Sequence, residues 1–291
     1  MFGAILTVTP ARATDPPHDK EFWRAVLKND GQPPAGTSPR EFAPELIADL
    51  GSTDAELRDG LAYGVLVLWI YQGASTDEEV RPLMATLLAN LRAGVGERGT
   101  DGVFRRSYSA LMLSVVVARH NERRAFLTAE EYRTLLDAAL AYLADEKDER
   151  GFDPVKGWVH AVAHTADLLK FLVRDPRLMP ADQARVLDAL HAELRVASQA
   201  YAHGEDERLA WVVLALARRV DPDKDALGAW VHALTLEAAF PEKSSPENLL
   251  LTVNARHLLT SLAAEISLDE RPSDGLDFLR PLVREALKKT F

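Results

Sequence analysis

Cysteine is absent from the 291 residues, which excludes a disulfide framework, a thiolate zinc site and a cysteine nucleophile. Long apolar runs are missing as well. No stretch approaches the ~20 uninterrupted apolar residues that a bilayer crossing requires, and Val65–Ile70 and Leu111–Ala118 read as core helix segments. Positive charge is in deficit, with 34 Lys and Arg against 44 Asp and Glu for a formal charge of −10. Such a balance argues against generic binding to nucleic-acid backbones or anionic membranes. The arginine pairs Arg105-Arg106, Arg123-Arg124 and Arg218-Arg219 are scattered rather than pooled. There is no glycine-rich phosphate loop, no G-x-S-x-G elbow, and no alternating strand on which to mount one. Met1–Val8 is mildly apolar but has no basic segment before it, so residues 1–18 read as a flexible start rather than an export signal. A cytoplasmic protein is the expectation that follows.

What is present is helical pattern. Apolar residues recur with a helical period almost from end to end, interrupted by breakers such as Gln32–Pro39, Gly94–Gly102, Gly151–Gly157 and Pro241–Pro246. Thr128 followed by Glu131 fits a capping box, and Ser52-Thr53-Asp54 with Glu56 looks like a helix start. The segments pair. First helices are expected near residues 39–50, 77–91, 128–144, 180–197 and 224–239, and second helices near 54–71, 102–120, 157–173, 205–220 and 246–264. A leading segment at 22–27 and a closing helix at 276–289 flank them. The second helices begin 41 to 55 residues apart, mostly longer than the ~40–47 of HEAT and armadillo units. Each is rich in Ala, Leu and Val around most of its circumference, a surface that only stacked neighbours can bury. The fold class predicted is all-α: an α-solenoid of about five HEAT/armadillo-like helix pairs in a single domain over residues 19–291. An α/α toroid and two small bundles are the alternatives.

The sharpest chemical feature is Gly157-Trp158-Val159-His160-Ala161-Val162-Ala163-His164-Thr165-Ala166-Asp167. At ~100° per residue, His160, His164 and Asp167 share one helix face, and two imidazoles with a carboxylate match the N/O ligand sets of zinc, manganese or iron. The competing explanation is a hydrated inner face in which Asp167 bonds His164. Arg106 lies early in the preceding second helix, where it would either clamp an anion or pair with an acid on a neighbouring helix. Asp59, Arg106, His160 and Glu207 occupy comparable depths in four successive second helices, with Tyr63, four residues after Asp59, and His164 and Asp167 one or two turns deeper. In a stack such positions form a ladder. Asp59, Tyr63, Arg106, Trp158, His160, His164, Asp167 and Glu207 are therefore the expected lining of a groove. The same ladder would equally serve as a hydrogen-bond network pinning repeat to repeat.

Four stretches carry a likeness: Leu50 to Asp59, Val103 to Ser107, Gly157 to Asp167 and Gly204 to Arg208. Together they resemble a bacterial group known as domain-of-unknown-function family 2785, the Trp/His/Asp segment being the most specific part. The resemblance implies one helical unit from about Lys20 to the C-terminal helix, and it supplies no activity to transfer. Function is expected to be that of a binding or scaffold protein whose groove receives a peptide, a protein segment or a small polar ligand. The alternative is a metal-dependent hydrolase with His160, His164 and Asp167 as ligands, its water acidified by the metal and Glu207 as base.

Overall fold

The computed structural model describes residues 18–240 and 245–290. The expected flexible segment therefore lies, His18 apart, outside the described residues, as does most of the 241–246 breaker. Among the described residues twelve α-helices follow one another: α1 (Lys20–Lys28), α2 (Pro39–Asp49), α3 (Gly64–Tyr71), α4 (Asp77–Arg92), α5 (Gly102–Glu122), α6 (Ala129–Asp145), α7 (Ala161–Leu172), α8 (Pro180–Val196), α9 (Glu205–Ala217), α10 (Lys224–Ala238), α11 (Pro246–Leu268) and α12 (Asp274–Thr290). A π-helical stretch, Glu56–Tyr63, runs directly into α3. A minimal hairpin, β1 (Phe152–Asp153) with β2 (Gly157–Trp158), precedes α7. The protein is all-α, and no described helix is long and apolar enough to cross a membrane.

Local signals set several boundaries. Thr76 and Thr128 accept from the backbone N–H groups of Glu79 and Glu131, whose carboxylates accept in return from the threonine N–H groups. These reciprocal bonds satisfy donors that have no partner within the helix. α8 and α11 open on Pro180 and Pro246, where the missing N–H is not needed.

The helices pack in two rows. The π-helical stretch with α3, then α5, α7, α9 and α11 touch in succession, and α2, α4, α6, α8, α10 and α12 do likewise beside them. Middle members of the first row are therefore enclosed on most sides. That explains why α5, α7 and α9 bury residues all around their circumference instead of along one stripe. One hydrophobic cluster extends from Trp23 to Ala286.

Arginines join successive helices of the first row. Arg119 donates to the carbonyls of Ile70 and Ser75 and to Asp77. Arg219, one hundred positions later, donates to the carbonyls of Val173, Asp175 and Leu178. In each case the end of one inner helix satisfies carbonyls that terminate the preceding one.

Candidate functional site

Between the π-helical stretch, α3, α5, α7 and α9 lies a cleft of about 650 Å³. Asp59, Tyr63, Trp158, His160, His164, Asp167 and Glu207 all line it, together with Tyr71, Tyr108, Lys170, His203 and Arg208. Successive second helices thus contribute side chains to one space.

Arg106 does not line it. This residue is 0% exposed and forms a two-pronged ion pair with Glu146, Nε–Oε2 at 2.5 Å and Nη2–Oε1 at 3.1 Å. Its Nη1 donates to the Ala93 carbonyl at 3.2 Å. The groove position expected for it is corrected on geometric grounds. Two residues along a helix rotate the side chain by ~200°, and it is Tyr108, not Arg106, that turns to the cleft.

A second correction concerns residues 157–160, expected as the first turn of α7. Gly157 takes a left-handed conformation (φ +81°), and residues 157–158 pair with 152–153 in the hairpin. Asp153 Oδ1 accepts from the N–H groups of Val155 and Lys156, both at 2.9 Å, which forms the turn. Arg58, fully buried and packed over the Phe104 and Tyr108 rings, donates to the carbonyls of Lys156 (2.6 Å) and Trp158 (3.2 Å). Backbone groups committed in this way cannot enter a helix. α7 therefore starts at Ala161, with His160 as its N-cap in the left-handed region at φ +50°. That conformation is strained for a residue with a Cβ.

The strained turn places His160 flat against Trp158, ring centroids 4.4 Å apart. Its Nε2 meets the His203 carbonyl at 3.0 Å and must donate to it, which leaves Nδ1 as the acceptor. Phe152 packs edge-on against Trp158 at 4.9 Å. Phe152 and Trp158 are 44% and 42% exposed, so the rim is an aromatic platform open to solvent.

His164 lies deeper, its ring 5.5 Å from that of His160 and edge-on to Tyr108. Its Nδ1 is 2.8 Å from Ser107 Oγ. The Ser107 hydroxyl also contacts the Val159 carbonyl, to which it can only donate. Its single proton is thereby used, so Oγ accepts from His164 Nδ1–H and the imidazole is the tautomer with a free lone pair on Nε2. Burial, and secondarily His160, hold His164 well below the ordinary histidine range, so it is neutral. Burial also lowers His160. The proton of Ser107 points away from the imidazole, which is the reverse of an activated Ser–His nucleophile.

Acids line the same space. Asp59 lies near the Tyr63 and Tyr108 hydroxyls. Burial first, then Asp167 and Asp59, pushes Tyr63 up to about 12, while burial and then Asp59 raise Tyr108. Asp167 is neutralised by Lys170 at 2.9 Å and by an ion pair with Arg208. Both cations rest over the Trp211 ring, 4.8 and 4.9 Å from its centre. Glu207 is exposed at the mouth. Asp167 is engaged by these two cations, and no three His, Asp or Glu side chains among the described residues gather as a metal ion would require.

The expected lining left out Tyr108, Lys170, His203 and Arg208, and Phe152 at the rim, although Tyr108, His203 and Arg208 belong to stretches singled out for Arg106 and Glu207. The i, i+3 spacing of Asp167 and Lys170 was a usable signal. The pairing of Arg208 with Asp167 across 41 positions was not.

In comparisons with known proteins, a family described as "Protein of unknown function (DUF2785)" matches residues 91–264. Neither the curated proteins nor the solved structures gave a match.

Proposed function

Starting from the fact that the chain belongs to the DUF2785 family, whose description carries no activity, we propose that it is a binding protein whose cleft receives a small polar ligand or a peptide segment. We read the two rows of helices as a HEAT/armadillo-like solenoid with the cleft on its concave wall. The observation that carries the reading is the pre-set hydrogen-bonding pattern of the floor. His164 presents a lone pair on Nε2, fixed there by Ser107. Asp59 adds a carboxylate beside the Tyr63 and Tyr108 hydroxyls. Such a floor favours a ligand that brings donors, hydroxyl or amine, while its flat or aliphatic part lies on Trp158. A few fixed polar groups beside an aromatic wall are the usual make-up of a small-molecule pocket.

The metal-dependent hydrolase has less support, because Asp167 would first have to leave Lys170 and Arg208. The test is a ligand-observed NMR screen of sugars, polyols, amines and short peptides against the full chain. Hits should be lost in Trp158→Ala and His164→Gln with the circular dichroism spectrum unchanged. Hits that survive both substitutions would place binding elsewhere, and a screen without any hit would overturn the reading for these ligand classes.

A further inference from the structure

A second cavity, of about 840 Å³, opens between α7, α9 and α11 and shares Lys170 with the cleft. Arginines from three different elements meet on its wall: Arg174 just after α7, Arg218 at the end of α9, and Arg271 in the loop after α11. Their partners among the described residues are shared: Asp269 serves both Arg218 and Arg271, Glu265 also acts on Arg218, and Arg174 pairs at 3.5 Å with Glu122, an acid that also accepts the Tyr71 hydroxyl. The remaining cations of the wall are already engaged, Lys170 with Asp167 and Arg219 with Asp221 and three carbonyls.

We propose that this cavity is an anion site, taking one phosphate or carboxylate group of a ligand between Arg174, Arg218 and Arg271. Burial pulls the Arg174 and Arg218 guanidiniums below their ordinary range. Arg271 also lowers both and Arg174 lowers Arg218, against the opposing pull of Glu122 on Arg174 and of Glu265 on Arg218, so like charges face one another across the cavity. A bound anion would relieve that repulsion and could be gripped by planar guanidiniums in the two-pronged manner suited to oxyanions. A cation near the end of α7 or α9 is expected from the helix dipole alone. That account covers Arg174 and Arg218 singly, and does not explain why Arg271 joins them from another loop. Glu265 and Glu270 also line the cavity, and their charge limits the site to a single anionic group. The site does not depend on what the neighbouring cleft binds.

The test uses the full-length chain, isotopically labelled, at pH 7 and constant ionic strength. Inorganic phosphate and acetate are titrated separately while the arginine Nε–H resonances are followed by NMR. Saturable shifts are expected at Arg174, Arg218 and Arg271. Arg174→Gln and Arg271→Gln, both at half-exposed or exposed side chains, should weaken binding about tenfold each, the loss of one charge-assisted pair. His164→Ala should leave the titration unchanged. Tighter binding of phosphate would point to a phosphorylated ligand, and equal binding of acetate to a carboxylate. Shifts no different from those with chloride, wild-type affinity in the two glutamine variants, or a loss with His164→Ala as large as theirs would each overturn the proposal.

Discussion

Replacing Arg106 by methionine separates a structural arginine from a ligand-binding one. The substitution approximates the apolar stem of the side chain and deletes both prongs to Glu146 and the bond to the Ala93 carbonyl. Glu146 would then remain buried with the backbone N–H groups of Lys147 and Asp148, both at 3.0 Å, and the neighbouring Tyr142 hydroxyl, but without a cation. Breaking one side of a buried ion pair costs about 3–5 kcal/mol, most of it the stranded charge. With an unfolding entropy of ~2.1 cal/mol/K per residue, a chain of 291 residues has about 0.6 kcal/mol/K. The expected fall in Tm is therefore about 5–8 °C by differential scanning calorimetry. Adding Glu146→Gln removes the stranded charge and should recover part of the loss, so the two effects are not additive. Anion or ligand binding by the folded variant should be unchanged. A fall below ~1 kcal/mol, or strict additivity in the double variant, would refute the assignment of Arg106 to the core.

Glu193, buried beside Glu149 and accepting from the Tyr201 hydroxyl at 3.3 Å, is pushed up to about 8, chiefly by burial. The folded state keeps its proton where the unfolded chain, near 4.3, has lost it. Its contribution is thus complete at acid pH and drains away as the pH rises through about 8. Glu193→Gln should flatten that decline by an amount on the order of a few kcal/mol between pH 5 and 8.5, measured by urea unfolding. A variant whose stability falls with pH as steeply as the parent's would contradict the buried, protonated acid. Gly157→Ala should destabilise by about 1–3 kcal/mol, because φ is +81° and the added Cβ would sit 3.1 Å from that of Ala55. An unchanged melting temperature would mean that the hairpin before α7 is dispensable. Trp158→Ala, at a 42% exposed rim position, should change stability by less than about 1 kcal/mol. A larger loss would make Trp158 a packing residue instead of a platform.

Helix period, breakers and capping residues determined the all-α class and most helix positions, because each acts within a few residues. Thr128 with Glu131 closes its own box whatever lies beyond it, and the all-round apolar character of α5, α7 and α9 already required neighbours on most sides. The grouping rested on placing Asp59, His160 and Glu207 at comparable depth in stacked helices, with Tyr63, His164 and Asp167 one or two turns deeper. Depth along a helix is readable from a sequence, whereas the direction a side chain faces depends on how the helix is rotated against its neighbours. That is why the groove place given to Arg106 fails while its other reading, a pair with a neighbouring acid, holds in Glu146, and why Tyr108 was left out of the lining. Residues 157–160 carry helix-compatible letters. What holds them out of α7 is Arg58, about a hundred positions earlier, which captures two of the carbonyls that a helix would have used. The partners of Asp167 and the proton of His164 are likewise set by Arg208 and Ser107 on other helices. Local bonding chose the elements. Contacts between distant segments chose which polar groups remain free to bind.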